Sequence, residues 1–477
     1  MSQQVRSLWP DFAFKPHQET GVTWMLRRER GGIHGNCGGI LCDEMGLGKT
    51  IQMVALIKSG EGLSNLLVAP VAVLEQWKKV IWKSEMNVST AASTGFWKSE
   101  GVVVKDAPTV YCIGYEAAAR KPLLVTRDDW DRLIYDEAHR IASKNTGTEL
   151  ALRIKAKRRW LLTGTPVVNK VRDLRILLEL VGVKDVPATD NLEDLTPLIK
   201  KYVMARTMEQ LRSCMPDAPK VPIHVVQKLD FRSGVEEQFY KDKADIIARR
   251  LNRLGGGLGA MLERLKLIMR LRQVSLHPQI YNEACKRRLK SNWTLPDWTE
   301  ISTKFEAIQT LVRDATESHK WIVFCHFRDE MEMLDAMLRA EPAVELVQQY
   351  HGGLNASQKE EVISKTHLPV MEGKQEILLV QLQSGGTGLN LQHFDHIIFT
   401  GPWWTQALME QAVGRAVRIG QTKQVIVYHL LLKAESTEEN TNIDSMMRER
   451  ADFKGGLCRK VLNAANSAVK LTELSTH

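Results

Sequence analysis

The chain has 477 residues, 44% of them apolar and 25% charged, enough apolar material for two or three cores of about 150 residues each and too much for a disordered chain. Lysine and arginine number 65 against 56 acidic side chains, a net charge of +9 that favours a polyanionic partner without identifying one. The cysteines, at 37, 42, 112, 214, 285, 325 and 458, form no C-x-x-C pair, the N-terminus lacks the apolar core of a leader, and no run approaches the ~18 apolar residues of a membrane span. A soluble intracellular chain with reduced thiols is expected, without a disulfide framework or a zinc site.

Gly39–Leu41 reads as a short buried strand and Ile51–Ile57 as an amphipathic helix, with the loop Asp43–Thr50 between them. Glycines at a strand-to-helix turn let backbone N–H groups converge on anionic oxygens, and the helix N-terminus adds partial positive charge. In that setting Lys49 neutralises β- and γ-phosphates and the Thr50 hydroxyl ligates Mg²⁺. Asp43 stands where the strict pattern has its first glycine, and a plain glycine-rich turn is the competing reading. Apolar runs at Leu66–Ala69, Val110–Ile113, Leu133–Tyr135 and Trp160–Thr163 continue the series at spacings that suit βα units and a parallel sheet covered on both faces. Directly after Leu133–Tyr135 come Asp136, Glu137, Ala138 and His139. One carboxylate there can share Mg²⁺ with Thr50, and a second can orient an attacking water.

The pattern then becomes helical. Val235–Leu254 and Leu258–Val274 read as basic helices split by Gly255, Gly256 and Gly257, and Lys286–Lys290 is a short basic cluster. A solvated face is the ordinary meaning of such charge. The strand grammar restarts at Trp321 and continues through Val344–Tyr350, Glu376–Leu382, His396–Thr400 and Gln424–Leu431. Trp403 and Trp404 follow the fourth of these; in an extended local chain they point opposite ways, one inward and one outward. The run Gln411–Gln421 places Arg415 and Arg418 three residues apart on one helix face, where guanidinium groups can stabilise charge on a transferring phosphoryl group. Beyond Leu432 the chain is polar and poor in motifs.

Taken together, these motifs resemble those of the Swi/Snf-type ATPases of helicase superfamily two, from Phe14 to about Leu432 and in family order. Phe14–Trp24, with Gln18, looks like the adenine-recognition segment, and Asp43–Gln52 matches the family's own phosphate loop, Asp43 included. Leu67–Pro70 with Gln76 and Trp77 looks like the first DNA-facing motif. Tyr135–Thr146, Arg159–Pro166, Leu271–Pro278, Ser384–Leu391 and Gln411–Gln421 complete the set. The resemblance implies an α/β chain of two RecA-like parallel-sheet lobes joined through a helical insertion. The expected segments are an N-terminal lobe over 1–222, helical protrusions and linker over 223–300, a C-terminal lobe over 301–440 and a brace or tail over 441–477.

It also implies ATP and Mg²⁺, with Gln18, Gly46, Gly48, Lys49, Thr50 and Gly388 at the nucleotide and Thr50 and Asp136 at the metal. Lys49, Asp136, Glu137, Arg415 and Arg418 are the expected catalytic set, the two arginines acting when the cleft between lobes shuts. His139, Thr163, Thr165 and Gln411 are the expected couplers, and Pro70, Trp77, Gly386 and Trp404 the expected DNA contacts. The implied activity is ATP-dependent translocation on double-stranded DNA that remodels protein–DNA complexes such as nucleosomes, in the nucleus for a eukaryotic or viral chain. A strand-separating DNA or RNA helicase and an inactive nucleic-acid scaffold are the alternatives. The helical insertion and the ending Arg418–Gln421 weigh against the first, the intact catalytic set against the second. Three departures from the family pattern stand out: His17 in place of an aromatic, Cys325 and His326 in the first strand motif of the second lobe, and Thr405 and Gln406 after Trp404 where Asn-Pro is usual.

Overall fold

The computed structural model describes residues 5–31, 37–93, 95–126, 129–142, 146–212, 215, 218–287, 296–382, 389–418, 420–433 and 442–466. By internal packing the chain forms two units, residues 1–218 with 453–477, and residues 219–452.

The first unit is built on eight strands: β1 (Cys37–Leu41), β2 (Ser64–Ala69), β3 (Asn87–Ala91), β4 (Trp97–Glu100), β5 (Thr109–Gly114), β6 (Trp130–Asp136), β7 (Ala156–Leu162) and β8 (Val203–Met204). Their order is β4-β3-β5-β2-β6-β7-β1-β8, with every pairing parallel except β3 with β4. A parallel sheet needs cover on both faces, and alternation along its strands supplies two cores. Ile40, Leu66, Val68, Leu133, Tyr135 and Leu161 enter one; Leu41, Leu67, Ala69, Ile134, Trp160 and Leu162 enter the other. Helices α1 (Pro16–Arg30), α2 (Lys49–Ser59) and α3 (Val71–Lys83) pack on the second of these faces.

The second unit carries β9 (Ile223–Leu229), β10 (His319–Cys325), β11 (Val344–Tyr350), β12 (Gln375–Gln381), β13 (His396–Phe399) and β14 (Ile426–Leu432), all parallel, in the order β11-β12-β10-β13-β14-β9. Alternation again divides Ile322, Phe324, Leu378, Val380 and Phe399 from Trp321, Val323, Ile377, Leu379 and Ile398. The two basic helices run Gly234–Arg253 and Leu258–Leu276 and bury Tyr240, Ile247, Leu267, Leu271 and Val274 between and beneath them. The expected α/β fold with two parallel-sheet lobes is therefore observed.

Four strands go beyond the sequence reading, and all lie at or next to sheet edges: β3, β4, β8 and β9. Residues 223–229, assigned above to the helical segment, are strand β9, hydrogen-bonded along the whole of β14. The helix Ile443–Asn466 belongs to the second unit up to residue 452 and to the first from residue 453. Ile443 and Met447 are buried with Tyr240 and Leu271, whereas Val461 and Ala465 are buried in the first unit's core. Among the described residues no helix is long and apolar enough to cross a membrane.

One buried charge cluster ties α1 to the first sheet. Arg132, fully buried in β6, donates from Nε to Glu29 Oε1 at 2.8 Å and from NH2 to Glu29 Oε2 at 2.7 Å, and from NH1 to Asn65 Oδ1 at 3.1 Å. Trp160 Nε1 donates to Glu29 Oε1 at 2.9 Å. Removing one partner of such a pair strands the other charge in a medium that cannot solvate it, at a cost of about 3–5 kcal/mol. Glu29→Ala is expected to lower unfolding stability by about that amount, measured by chemical denaturation. A loss near that of a surface substitution would show that the Arg132 guanidinium finds other partners.

Candidate active site

The loop from Asp43 to Thr50 joins β1 to α2, and its glycines are required where they stand. Gly46 and Gly48 have φ of +91° and +82°, left-handed values that strain any residue with a β-carbon. A β-carbon at Gly48 would also lie 2.5 Å from Gln18 Nε2, so the Gln18 amide is brought against the loop. Gln18 Nε2 donates to Leu47 O at 3.5 Å, and Lys15 N donates to Gln18 Oε1 at 3.2 Å. His17, the departure from an aromatic, is buried with Nε2 3.0 Å from Leu47 O; it fastens the same loop. Lys49, at the first position of α2, donates from Nζ to Asp43 O at 2.7 Å, and Thr50 follows it, half-buried.

Asp43 explains its own presence in place of glycine. It is fully buried, accepting from Arg206 Nε at 2.9 Å, from Arg206 NH2 at 2.5 Å and from Gln52 Nε2 at 2.9 Å. Burial by itself would raise its pKa; the Arg206 charge and these hydrogen bonds outweigh it and hold the carboxyl below its ordinary value. Arg206 also donates to Gln52 Oε1 at 2.8 Å and to the carbonyl of His17. Glu44 adds a second tie, its Oε2 accepting from Met208 N at 2.6 Å. Sequence reading missed Arg206. Its signal is an arginine directly after the apolar Val203, Met204 and Ala205, a charge that burial obliges to find an acid.

Asp136 ends β6 and Glu137 follows it with φ +52°. The other described non-glycine residues with positive φ (Asp11, Glu85, Asp106 and Asp185) are all exposed; Glu137 is not. Left-handed backbone costs about 1–3 kcal/mol and persists where the surroundings over-determine it. Here Glu137 N donates to Asp136 Oδ1 at 3.0 Å and Tyr115 OH donates to Asp136 O at 2.6 Å. Burial and the neighbouring Glu137 charge push the Asp136 carboxyl up to about 6, against the pull of the Trp77 indole and the Lys49 charge. Glu137 Oε2 is buried without a hydrogen-bond partner, 3.4 Å from His139 Nδ1. Asp136 and the part-buried Glu137 thus stand side by side, one of them with an unbonded oxygen, and carboxylate oxygens of this kind are the hard donors that suit Mg²⁺.

His139 lies with Nδ1 3.2 Å from Thr163 Oγ1 and 3.4 Å from Thr165 Oγ1, and Thr165 N donates to Thr163 Oγ1 at 3.1 Å. Burial, then the Arg140 charge, brings its pKa down to about 4, so the ring is neutral. Gly164, between the two threonines, comes close enough that a β-carbon there would sit 3.9 Å from Lys49 Nζ. The phosphate loop, the acidic pair and the threonine turn thus meet at the ends of β1, β6 and β7, as ligand sites do in open α/β sheets.

Trp77 is corrected by the structure. It was expected at DNA, but it is 1% exposed, and its Nε1 donates to Asp136 Oδ2 at 2.8 Å. Position 77 falls on the inner face of amphipathic α3, so the indole reaches the carboxylate instead of a ligand surface. Pro70, buried, caps the same helix. Gly386 and Gly388 lie outside the described residues.

In the second unit the helix carrying Gln411 ends at Val413, so Arg415 and Arg418 do not share a helix face as expected. Gly414 closes the helix, and Leu391 N donates to Arg415 O at 3.0 Å, drawing the chain into a turn. Arg415 is 4% exposed; Arg418 donates from Nε to Gly414 O at 2.9 Å. Burial, then repulsion from Arg415, lowers the Arg418 pKa to about 10, which leaves it charged.

Trp403 points inward and Trp404 is half-buried. The buried Arg272 guanidinium lies 4.7 Å from the Trp403 ring and 5.7 Å from the Trp404 ring. His326, the other departure, stacks on Trp403 at 5.0 Å and 3°. Arg272 NH2 donates to His326 Nδ1 at 2.6 Å, which leaves Nε2 to donate to Gly401 O at 3.2 Å. Burial, then the Arg272 charge, keeps this histidine well below its usual pKa and neutral. The tryptophan turn is thereby fixed from beneath by a cation and a flat ring.

Comparison with known proteins gives two family matches: the SNF2-related domain over residues 17–280 and the helicase conserved C-terminal domain over residues 303–420. The chain is 27% identical to a probable global transactivator of Orgyia pseudotsugata multicapsid polyhedrosis virus, over 94% of this chain and 91% of that one. It is also 27% identical to a probable ATP-dependent DNA helicase of Arabidopsis thaliana, over 94% of this chain but 43% of the relative. The chain spans half or less of the plant and Bacillus subtilis relatives. Among solved structures, the SWI2/SNF2 ATPase core of Sulfolobus solfataricus in complex with double-stranded DNA is 22% identical, with 99% and 98% of the two chains covered and a TM-score of 0.42.

The Trp77 geometry makes a prediction. Trp77→Phe keeps the packing and removes the donor to Asp136; partners of this kind typically contribute about 10–100-fold to activity or metal affinity. ATP turnover is expected to fall by that order while the DNA concentration for half-maximal stimulation stays put. A shift in the DNA requirement at unchanged turnover would return Trp77 to the DNA surface.

Proposed function

The chain belongs to the SNF2-related family of helicase-like ATPases, and from that premise we propose that it is an ATP-driven translocase that moves along double-stranded DNA and displaces or slides bound protein. The observation that carries the reading is the strained Glu137, its buried carboxylate oxygen unbonded beside Asp136, with the threonine turn reaching the Lys49 ammonium.

ATP is the substrate. The loop of Gly46, Gly48 and Lys49 receives its phosphates, backbone N–H groups and the Lys49 ammonium meeting the charge, while Gln18 stands at the adenine side. Thr50 and Asp136 would hold Mg²⁺, which would supply positive charge against the phosphates. Glu137 positions the attacking water and accepts its proton; the backbone of residue 137 aims the carboxylate, so little reorganisation is needed at the moment of reaction. The Trp77 hydrogen bond favours the ionised Asp136 against the burial and the Glu137 charge that push its pKa up, and holds the carboxylate in one orientation. His139, neutral, exchanges hydrogen bonds with Thr163 and Thr165 and so relates the state of Glu137 to that of the threonine turn. Arg415 and Arg418 are assigned to the charge that develops on the transferring phosphoryl group. Trp404, supported by Arg272, is the DNA-contact candidate in the second unit. Double-stranded DNA is proposed as the track because the relatives include proteins named as DNA helicases, and the +9 charge suits it.

The direct test is steady-state ATPase activity without nucleic acid and with duplex DNA, single-stranded DNA or RNA, all at one low salt concentration. Stimulation by duplex DNA, followed by displacement of a triplex strand, is the expected result. Preferential stimulation by RNA or single strands would make the chain a strand-separating helicase. Glu137→Gln is expected to keep ATP binding and abolish turnover, checked by nucleotide titration beside the ATPase assay. Arg418→Ala is expected to lower kcat by about 10³-fold or more with the DNA requirement unchanged. A collapse of DNA affinity with kcat intact would make Arg418 a backbone-phosphate contact.

A further inference from the structure

The second unit carries a cluster of titratable side chains that neither the nucleotide site nor the tryptophan turn uses. His319 opens β10, His396 opens β13 and Asp395 stands directly before it, at the other end of these strands from His326 and Trp403. The register pairs Trp321 with His396. His319, two residues earlier on the same face as Trp321, therefore falls diagonally across from His396. The two imidazole rings are 4.1 Å apart by centroid, and the Trp321 ring backs His396 at 4.3 Å.

Both imidazoles turn Nδ1 to the one carboxylate: His319 lies 3.2 Å from Asp395 Oδ2 and His396 3.0 Å from Oδ1. Among the described residues this is the one group of three histidine, cysteine or acidic side chains whose ligand atoms all lie within 4.8 Å of one another. The Asp395 side chain is 3% exposed, and the backbone around it fixes its place. Lys320 N donates to its Oδ1 at 3.2 Å, Asp395 N to Lys320 O at 3.2 Å, and Ile426 N to Asp395 O at 2.9 Å. Lys423 completes the cluster, its Nζ 2.8 Å from Oδ2 on a side chain 58% exposed. A cation thus already stands at this carboxylate, on a flexible stem free to swing into solvent.

We propose that His319 Nδ1, His396 Nδ1 and a carboxylate oxygen of Asp395 form a binding site for a divalent transition-metal ion of the zinc type, with Lys423 as the cation it displaces. A tetrahedral ion bound at about 2.0–2.2 Å sets its ligand atoms roughly 3.3 Å from one another, close to the two nitrogen–oxygen spacings found here. The donor set selects the ion. Two imidazole nitrogens disfavour Mg²⁺ and Ca²⁺, which take oxygen, and the want of sulfur disfavours Cu(I). A neutral imidazole presents Nδ1 to a metal by carrying its proton on Nε2, so binding asks for a change of tautomer at each ring. Three protein ligands leave a fourth position for water, approached past the partly exposed edge of His319. The cysteine spacing that argued against a zinc site says nothing of this group, in which His319 lies 76 residues from Asp395 and the sheet register brings them together. The competing reading is a closed ion cluster in which Lys423 is the permanent cation. The proposal is independent of the translocase reading, since none of these residues serves the nucleotide.

The test titrates Co²⁺ into the full chain, stripped of metal by a chelator and free of nucleotide, and follows visible absorption. The expected result is one Co²⁺ per chain, with the d–d bands of a nitrogen and oxygen site and without the charge-transfer band that a cysteine ligand would add. An equivalent of Zn²⁺ should abolish the bands. His319→Gln is expected to lose them; its side chain is the most exposed of the three ligands, and far-UV circular dichroism checks that the variant stays folded. Lys423→Ala is expected to tighten Co²⁺ binding, because it removes the competing ammonium. Absence of binding in both the parent chain and Lys423→Ala overturns the proposal in favour of the closed ion cluster. Binding indifferent to His319→Gln, or bands that carry a thiolate signature, overturns it by placing the metal elsewhere. Weaker binding in Lys423→Ala overturns the displacement, since Lys423 then supports the site.

Discussion

The ion pair between Asp43 and Arg206 is the constraint from which the nucleotide site is built. Two opposite charges, 0% and 4% exposed, would be a poor bargain if they merely met each other. They do more. Asp43 accepts three hydrogen bonds, and Arg206 distributes its donors to Asp43, to Gln52 on α2 and to the carbonyl of His17 on α1. The loop is thereby referred to three separate pieces of chain: the helix before it, the helix after it and the short strand β8. A glycine at position 43 would give the loop freedom; the aspartate gives it an address.

The catalytic carboxylates depend on a different device. Asp136 is held by a strand end, an indole, a backbone amide and, through its carbonyl, a tyrosine hydroxyl. Those restraints let the next residue occupy a left-handed conformation that an unrestrained chain would abandon. Order at one carboxylate is thus converted into aim at the other, and His139 with its two threonines carries that aim to the end of β7. The second unit repeats the principle with other chemistry, a guanidinium and a neutral imidazole holding an aromatic turn.

The central strands were legible in the sequence because burial on both faces demands uninterrupted apolar residues, as in Leu66–Ala69 and Trp321–Cys325. Edge strands escape that demand. Strand β9 has five exposed residues in its seven, β4 carries Lys98 and Ser99 outward, and β8 is two residues long. The phosphate loop and the acidic pair were legible because their chemistry is local. What was not legible is what depends on contacts distant in the chain: Arg206 lies 163 residues from Asp43, Trp77 lies 59 from Asp136, and Arg272 lies 54 from His326. Trp77 was misread although Val73, Leu74, Val80 and Ile81 mark its face of α3 as the inner one; what lay out of reach was its carboxylate partner. The arginine turn was misread because regular spacing suggests a helix that Gly414 brings to an end.

The cluster of Glu29, Asn65, Arg132 and Trp160 carries a lesson about inheritance. Its members come from α1, β2, β6 and β7 and share one carboxylate and one guanidinium. No member drifts freely: a lineage that loses Arg132 leaves Glu29 with only Arg158, 3.5 Å away, to neutralise it, and one that loses the acid leaves both the Arg132 charge and the indole N–H unanswered. Such positions change as a set or stay as they are, and in a family tree they would be expected to mark branch points.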